Sequence, residues 1–218
     1  MNRDYPARSS RRQGRGERYA EGRRQSGRGS GGQRQEPSFR LFVALEIPAE
    51  AIHDLLRWQQ EYLSSDRSLR LTPQEQLHVT LVFLGQKNEA ERDLAISLLE
   101  RLAMRESFEV TVTGLVGLPR NRSPRVIAAA CEELSGRLAG LHGELVAALV
   151  AEGLYQKEKR PYFPHVTIAR SRGRTSFDPA ETAPEAVKFT AVRVTLYNSV
   201  LQSSGALHEA LKTVQLNQ

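Results

Sequence analysis

His78-Val79-Thr80-Leu81 and His165-Val166-Thr167-Ile168 decide how this chain is read. Each copy of His-x-Thr-x lies in an apolar, β-branched run. The first spans residues 77–85 and the second follows Pro164, and both predict strands. Side chains alternate across a strand, so His78 and Thr80 share one face while Val79 and Leu81 take the other. The same holds for His165 and Thr167 against Val166 and Ile168. An imidazole and a hydroxyl aimed the same way, presented twice, predict a built site. Two imidazoles serve as one acid and one base, and two hydroxyls hold the oxygens of an anion such as phosphate.

Outward from the motifs the chain alternates between two periods. Residues 39–47 alternate as a strand ended by Pro48. Residues 49–63 carry helical spacing, with Ile52, Leu55, Leu56, Gln59 and Tyr62 on one face. Residues 64–70 read as a polar connection, and Gly85 as the close of the first motif strand. Residues 89–104 predict an amphipathic helix, 108–118 and 125–131 two strands, and 134–151 a helix stopped by Gly153. A charged loop, 156–161, leads into the second motif. Residues 187–201 and 207–216 close the chain as strands, with 203–205 as a hairpin turn. This is a mixed α+β pattern. The motif strands lie 87 positions apart, each among helices and strands, which suggests two similar lobes with the site in the groove between them.

The net charge of +6 is unevenly placed. Residues 1–37 hold ten Arg against Asp4, Glu17, Glu21 and Glu36, a local +6, and the remaining 181 residues balance at 21 basic and 21 acidic. The basic character therefore belongs to the leading segment. That segment is Arg, Gly, Ser and Gln with little to bury, so 1–37 is expected to be a disordered tail and 38–218 the folded domain. Pieces such as Gly27-Arg28-Gly29 suit weak RNA contact through phosphate charge, against the alternative of a merely solvated extension. The single cysteine, Cys131, leaves no internal disulfide and no cysteine-cluster metal site. No run approaches the roughly 18 apolar residues of a membrane span, and the N-terminus lacks the apolar core of a secretory signal. A cytoplasmic protein making no membrane contact is expected.

Similarity to a known family extends beyond the tetrapeptides. It is carried by Arg40-Leu41-Phe42-Val43-Ala44-Leu45 through Pro48, and by Gln76-Leu77-His78-Val79-Thr80-Leu81-Val82-Phe83-Leu84-Gly85. It continues through Ser123-Pro124-Arg125-Val126-Ile127 and Arg160-Pro161-Tyr162-Phe163-Pro164-His165-Val166-Thr167-Ile168-Ala169-Arg170 to Leu196-Tyr197-Asn198-Ser199 and Gly205. From Phe39 onward the chain resembles the RNA 2′,3′-cyclic phosphodiesterases, also named 2′-5′ RNA ligases, of the two-histidine phosphoesterase superfamily. One His-x-Thr-x is common by chance; two with matching flanks in this order are specific. The chain departs from the family pattern at Leu71 and near Ala128, where an aromatic residue is usual, and both positions bear on the groove wall.

The resemblance implies a bilobal α+β fold of two pseudo-symmetric lobes, each an antiparallel sheet flanked by helices. It implies hydrolysis of an RNA-terminal 2′,3′-cyclic phosphate to a 2′-phosphomonoester with no metal and no cofactor, and a reversible 2′-5′ ligase activity. It assigns His78 as proton donor to the leaving 3′-oxygen, His165 as proton acceptor from water, and Thr80 and Thr167 as phosphate ligands. The sequence alone leaves the two histidine roles open, because the halves are nearly symmetric. Arg125, Arg170 and Tyr162 are candidate substrate ligands, although in an unbroken strand Arg170 points away from His165. His53, His142 and His208 have no motif partners. No Asp, Glu or Cys lies inside either motif to complete a tetrahedral metal set. The expected partner is an RNA 3′ end bearing a 2′,3′-cyclic phosphate, and a monomer is expected. Two other readings use the same residues: a phosphodiesterase for a small cyclic nucleotide or 2′-5′ oligonucleotide, and a non-catalytic RNA-end-binding module.

Overall fold

The computed structural model describes residues 37–120, 124–173, 175, 177, 178, 182–203 and 205–217. The expected tail, Pro37 aside, lies outside the described residues, as do Ser123 and Ser204 of the quoted motif and turn. The described elements are β1 (Phe39–Glu46), α1 (Ala49–Trp58) continued by a π turn (Gln59–Leu63), β2 (Leu69–Leu71), β3 (His78–Lys87), α2 (Glu89–Glu100), β4 (Phe108–Leu118), β5 (Val126–Glu132), α3 (Arg137–Ala151), β6 (His165–Ser171), β7 (Val187–Ala191), β8 (Arg193–Gln202) and β9 (Gly205–Gln215). The α+β expectation holds.

The strands form one sheet in the order β7-β4-β5-β6-β3-β1-β8-β9, with β2 added to β6. All the pairings are antiparallel. The two expected lobes are its two halves, and they meet where β3 pairs β6 through Val79↔Val166. Past that point the free edge of β6 is taken by β2, with Leu71 opposite Ala169 and Arg70 opposite Arg170. The motif strands therefore diverge from a shared origin and open a groove.

One face of the sheet is covered by the helices. Leu41, Val43 and Leu45 of β1, Val79 and Leu81 of β3, and Val166 and Ile168 of β6 join Leu55 and Trp58 of α1, Leu98 and Leu99 of α2, and Leu141 and Leu145 of α3 in a single apolar core. Burial of each such side chain contributes about 1.5–3 kcal/mol, which makes the sheet-to-helix face the main source of stability. α2 starts with a capping box in which Asn88 accepts from the Glu91 N–H and the Glu91 carboxylate accepts from the Asn88 N–H. Phe42, Ala44 and Ala128 are also buried but stand outside this core, on the other face, where they floor the groove.

Three sequence expectations change. Residues 187–201 do not form one strand: the chain breaks at Val192, β7 pairs β4 at one end of the sheet, and β8 pairs β1 and β9 at the other. Continuous β-branched composition cannot signal such a crossing, because alternation persists through the break. Gly85 does not close β3, which runs on to Lys87; at φ 74° it occupies an irregular step in the β1 ladder. The polar connection 64–70 ends in β2, too short at three residues for a period to show.

Candidate active site

Both motifs carry a bulge at their fourth residue. Along β3 the pairing with β1 passes from Ala44↔Thr80 to Val43↔Val82, leaving Leu81 unpaired. Along β6 the pairing with β5 passes from Ala128↔Thr167 to Ile127↔Ala169, leaving Ile168 unpaired. An extra residue inverts the facing of everything beyond it. Leu81 and Ile168 stay in the core, while Phe83 and Arg170 turn to the groove side, Phe83 opposite Phe42 and Arg170 opposite Val126. The expectation that Arg170 faces away from His165 is thereby corrected.

Antiparallel pairing at Val79↔Val166 gives the site its plan. In that register His78 lies across from Thr167 and Thr80 across from His165, so the histidines occupy diagonal corners and the threonines the other two. Val79 and Val166 are fully buried beneath, while all four polar side chains are half-buried at the groove. Their outer neighbours are small: Ala128 is opposite Thr167, Ala130 opposite His165 and Ala44 opposite Thr80. The remaining neighbour, Glu46, is opposite His78, but its carboxylate is held by Arg193 at 2.7 Å and by the Thr195 hydroxyl at 2.5 Å.

Each imidazole is oriented by the carbonyl two residues before it. His165 Nδ1 lies 2.8 Å from the Phe163 carbonyl. A carbonyl only accepts, so Nδ1 carries hydrogen and neutral His165 presents a bare Nε2. The Gln76 carbonyl accepts from His78, whose Nε2 is 3.1 Å from the Thr80 hydroxyl. Burial, followed by the charge of His208, brings the His78 imidazole down to about 4, with His165 and Arg170 pushing the same way and the Gln76 hydrogen bond opposing.

The other candidates divide. Arg170 is exposed on the groove side. Arg125 is exposed one step out of phase, its carbonyl accepting from the Ser171 N–H at 3.0 Å, so its register position belongs to the opposite face. Tyr162 donates its hydroxyl to the Thr80 carbonyl at 3.0 Å and stacks on His142 at 3.9 Å between ring centroids. It ties the second motif's approach to the first motif's strand.

Sequence reading missed His208. It sits on β9 opposite Ser199, in a half of the sheet remote in sequence from His78, yet the two rings are 5.6 Å apart and edge-on. Phe42 lies at the centre of this wall, 5.0 Å from His78, 5.1 Å from Tyr197, 4.8 Å from His208 and 5.8 Å from Phe83. His208 itself is lowered by burial and by the Arg40 charge. No sequence signal links β9 to β3, because β1 and β8 stand between them. Gln59 was also missed, although a signal was present: a glutamine on the apolar stripe of a helix.

The sequence pattern of the 2′-5′ RNA ligase superfamily matches residues 46–201. A Thermus thermophilus protein named RNA 2′,3′-cyclic phosphodiesterase is 30% identical, covering 81% of this chain and 90% of its own length. A Thermotoga maritima protein of the same name is 28% identical, covering 81% and 95%. The crystal structure of Escherichia coli LigT complexed with 3′-AMP superposes with a TM-score of 0.73 over 84% of this chain and all of that one, at 23% identity, and so shows the shared fold. Among the described residues, no helix is long and apolar enough to cross a membrane.

Proposed function

The chain belongs to the 2′-5′ RNA ligase superfamily, and from that membership we propose that it hydrolyses a 2′,3′-cyclic phosphate at an RNA 3′ end to a 2′-phosphomonoester. The observation that carries this reading is the diagonal arrangement of two imidazoles and two hydroxyls about Val79↔Val166. A cyclic phosphate opens by in-line attack, so base and acid must stand on opposite sides of phosphorus, as diagonal corners do. Relatives named for this activity support it.

His165 is the base: its bare Nε2 takes a proton from water as the water oxygen bonds to phosphorus. The bond from phosphorus to the 3′-oxygen breaks, and His78 delivers a proton to that oxygen. The His78 imidazole, lowered to about 4 by burial and the neighbouring charges, is neutral near pH 7 before phosphate binds. The negative charge of the bound phosphodiester offsets Arg170 and the neighbouring imidazoles and draws the proton onto His78. Thr80 and Thr167 donate to the non-bridging oxygens, and Arg170 neutralises their charge. With a ribose 5′-hydroxyl in place of water as the attacking group, the same proton transfers join a 2′-5′ linkage as the bond from phosphorus to the 3′-oxygen breaks; in the reverse reaction the 3′-hydroxyl attacks, the 5′-oxygen leaves and the two histidines exchange roles. The exposed Phe83 ring beside Phe42 offers a surface on which a base stacks. The catalytic domain is residues 38–218, and it acts as a monomer without a metal.

The test is hydrolysis of a short RNA ending in a 2′,3′-cyclic phosphate, with chelator present, by the wild type, His78→Ala and His165→Ala. A 2′-phosphate from the wild type, with each variant down by about 10²–10⁴-fold, supports the reading. Turnover that persists in both variants sinks it. A wild type that ignores RNA but opens a small cyclic nucleotide selects the small-substrate reading.

A further inference from the structure

The geometry points to Gln59 as a positioning residue that holds the Ile168 bulge and thereby turns Arg170 into the groove. This rests on the proposed role of Arg170 at a substrate phosphate. Gln59 opens the π turn that continues α1, behind the sheet, and is only 3% exposed. Its amide nitrogen donates to the Ile168 carbonyl at 2.6 Å and to the Thr72 carbonyl at 2.9 Å. The Thr72 N–H also donates to the Ile168 carbonyl at 2.9 Å. Ile168 is the residue that the β5–β6 ladder skips, so its carbonyl needs partners from outside that ladder.

A bulge survives only where its displaced backbone groups are satisfied. Here one buried amide bridges the bulge on β6 and the residue that follows β2. Removing the bulge would return Arg170 to the helix face, among the core leucines, where an unpaired guanidinium is strongly disfavoured. A π turn widens a helix by one residue and re-aims the side chains beyond it. In this chain the widening begins at Gln59.

The test is a double-mutant cycle of Gln59→Met, which keeps side-chain length and removes both donors, with Arg170→Ala. Two readouts are taken on all four proteins: kcat/KM for a dinucleotide ending in a 2′,3′-cyclic phosphate, and the affinity for inorganic phosphate by titration. The expectation is a roughly tenfold or greater loss from Gln59→Met in the presence of Arg170, and less than about threefold in the Arg170→Ala background. Additive losses, or a lowered melting temperature with both readouts unchanged, would reduce Gln59 to a structural residue and overturn the inference. Should Gln59→Met unfold at the assay temperature, Gln59→Asn, which retracts the amide by one methylene, carries the same cycle. If the wild type turns over no dinucleotide, the proposed activity fails, while the phosphate titration still decides Gln59; no coupling there, or no phosphate binding by the wild type, overturns it.

Discussion

Val79 lies opposite Val166, and this antiparallel pair makes the two motif strands neighbours although 87 positions separate the motifs. An antiparallel pair has local two-fold symmetry. The operation that exchanges the valines exchanges His78 with His165 and Thr80 with Thr167. Two copies of one tetrapeptide thus become a single site with an imidazole on each of two diagonal corners and a hydroxyl on each of the other two.

In the proposed mechanism the threonines act on the transition state. Thr80→Val and Thr167→Val keep shape and strand propensity and remove one donor each. Each is expected to lower kcat by about 10–10³-fold with a smaller change in KM. Steady-state kinetics on the cyclic-phosphate dinucleotide checks this, and a change confined to KM would assign the hydroxyls to ground-state binding instead.

His78 carries a pH signature. Its imidazole is brought to about 4 in the folded chain from an ordinary value near 6.5. The unfolded chain therefore binds more protons between these values, and stability contributed by neutral His78 is lost as pH falls from about 6.5 to about 4. Melting temperature measured across that window should fall less steeply for His78→Gln than for the wild type. In activity, the limb of kcat/KM belonging to His78 is expected near pH 4, and the corresponding limb of kcat at higher pH, because bound phosphate favours the imidazolium. Coincident limbs would rule out protonation on binding.

Tyr162→Phe removes the hydroxyl that reaches the Thr80 carbonyl and keeps the ring on His142. A loss of about 1 kcal/mol in stability is expected from the missing hydrogen bond. Chemical denaturation measures it. Turnover should drop only mildly, since the Thr80 side chain keeps its place in the strand; a loss as large as that of Thr80→Val would move Tyr162 to the substrate.

Deleting residues 1–37 tests the tail. Turnover of a dinucleotide is expected to be unchanged, while affinity for a longer RNA weakens and its dependence on salt flattens. Loss of dinucleotide turnover in the truncated chain would make the tail part of the site.

What the sequence determined was local. Two His-x-Thr-x strands, the shared facing of His and Thr, the helix-and-strand alternation and the displacement of the net charge into the first 37 residues all follow from neighbours along the chain. Tertiary structure decided what depends on partners far away in sequence. Bulges at Leu81 and Ile168 exist only relative to β1 and β5, and they carry Phe83 and Arg170 to the groove. The break at Val192 sends β7 and β8 to opposite ends of the sheet without a change in composition. His208 meets His78, and Gln59 meets the Ile168 carbonyl, across strands and layers that no periodicity encodes. A period of two says which side chains share a face of one strand; which strand lies beside it, and in which register, is set by the burial of the whole sheet against its helices.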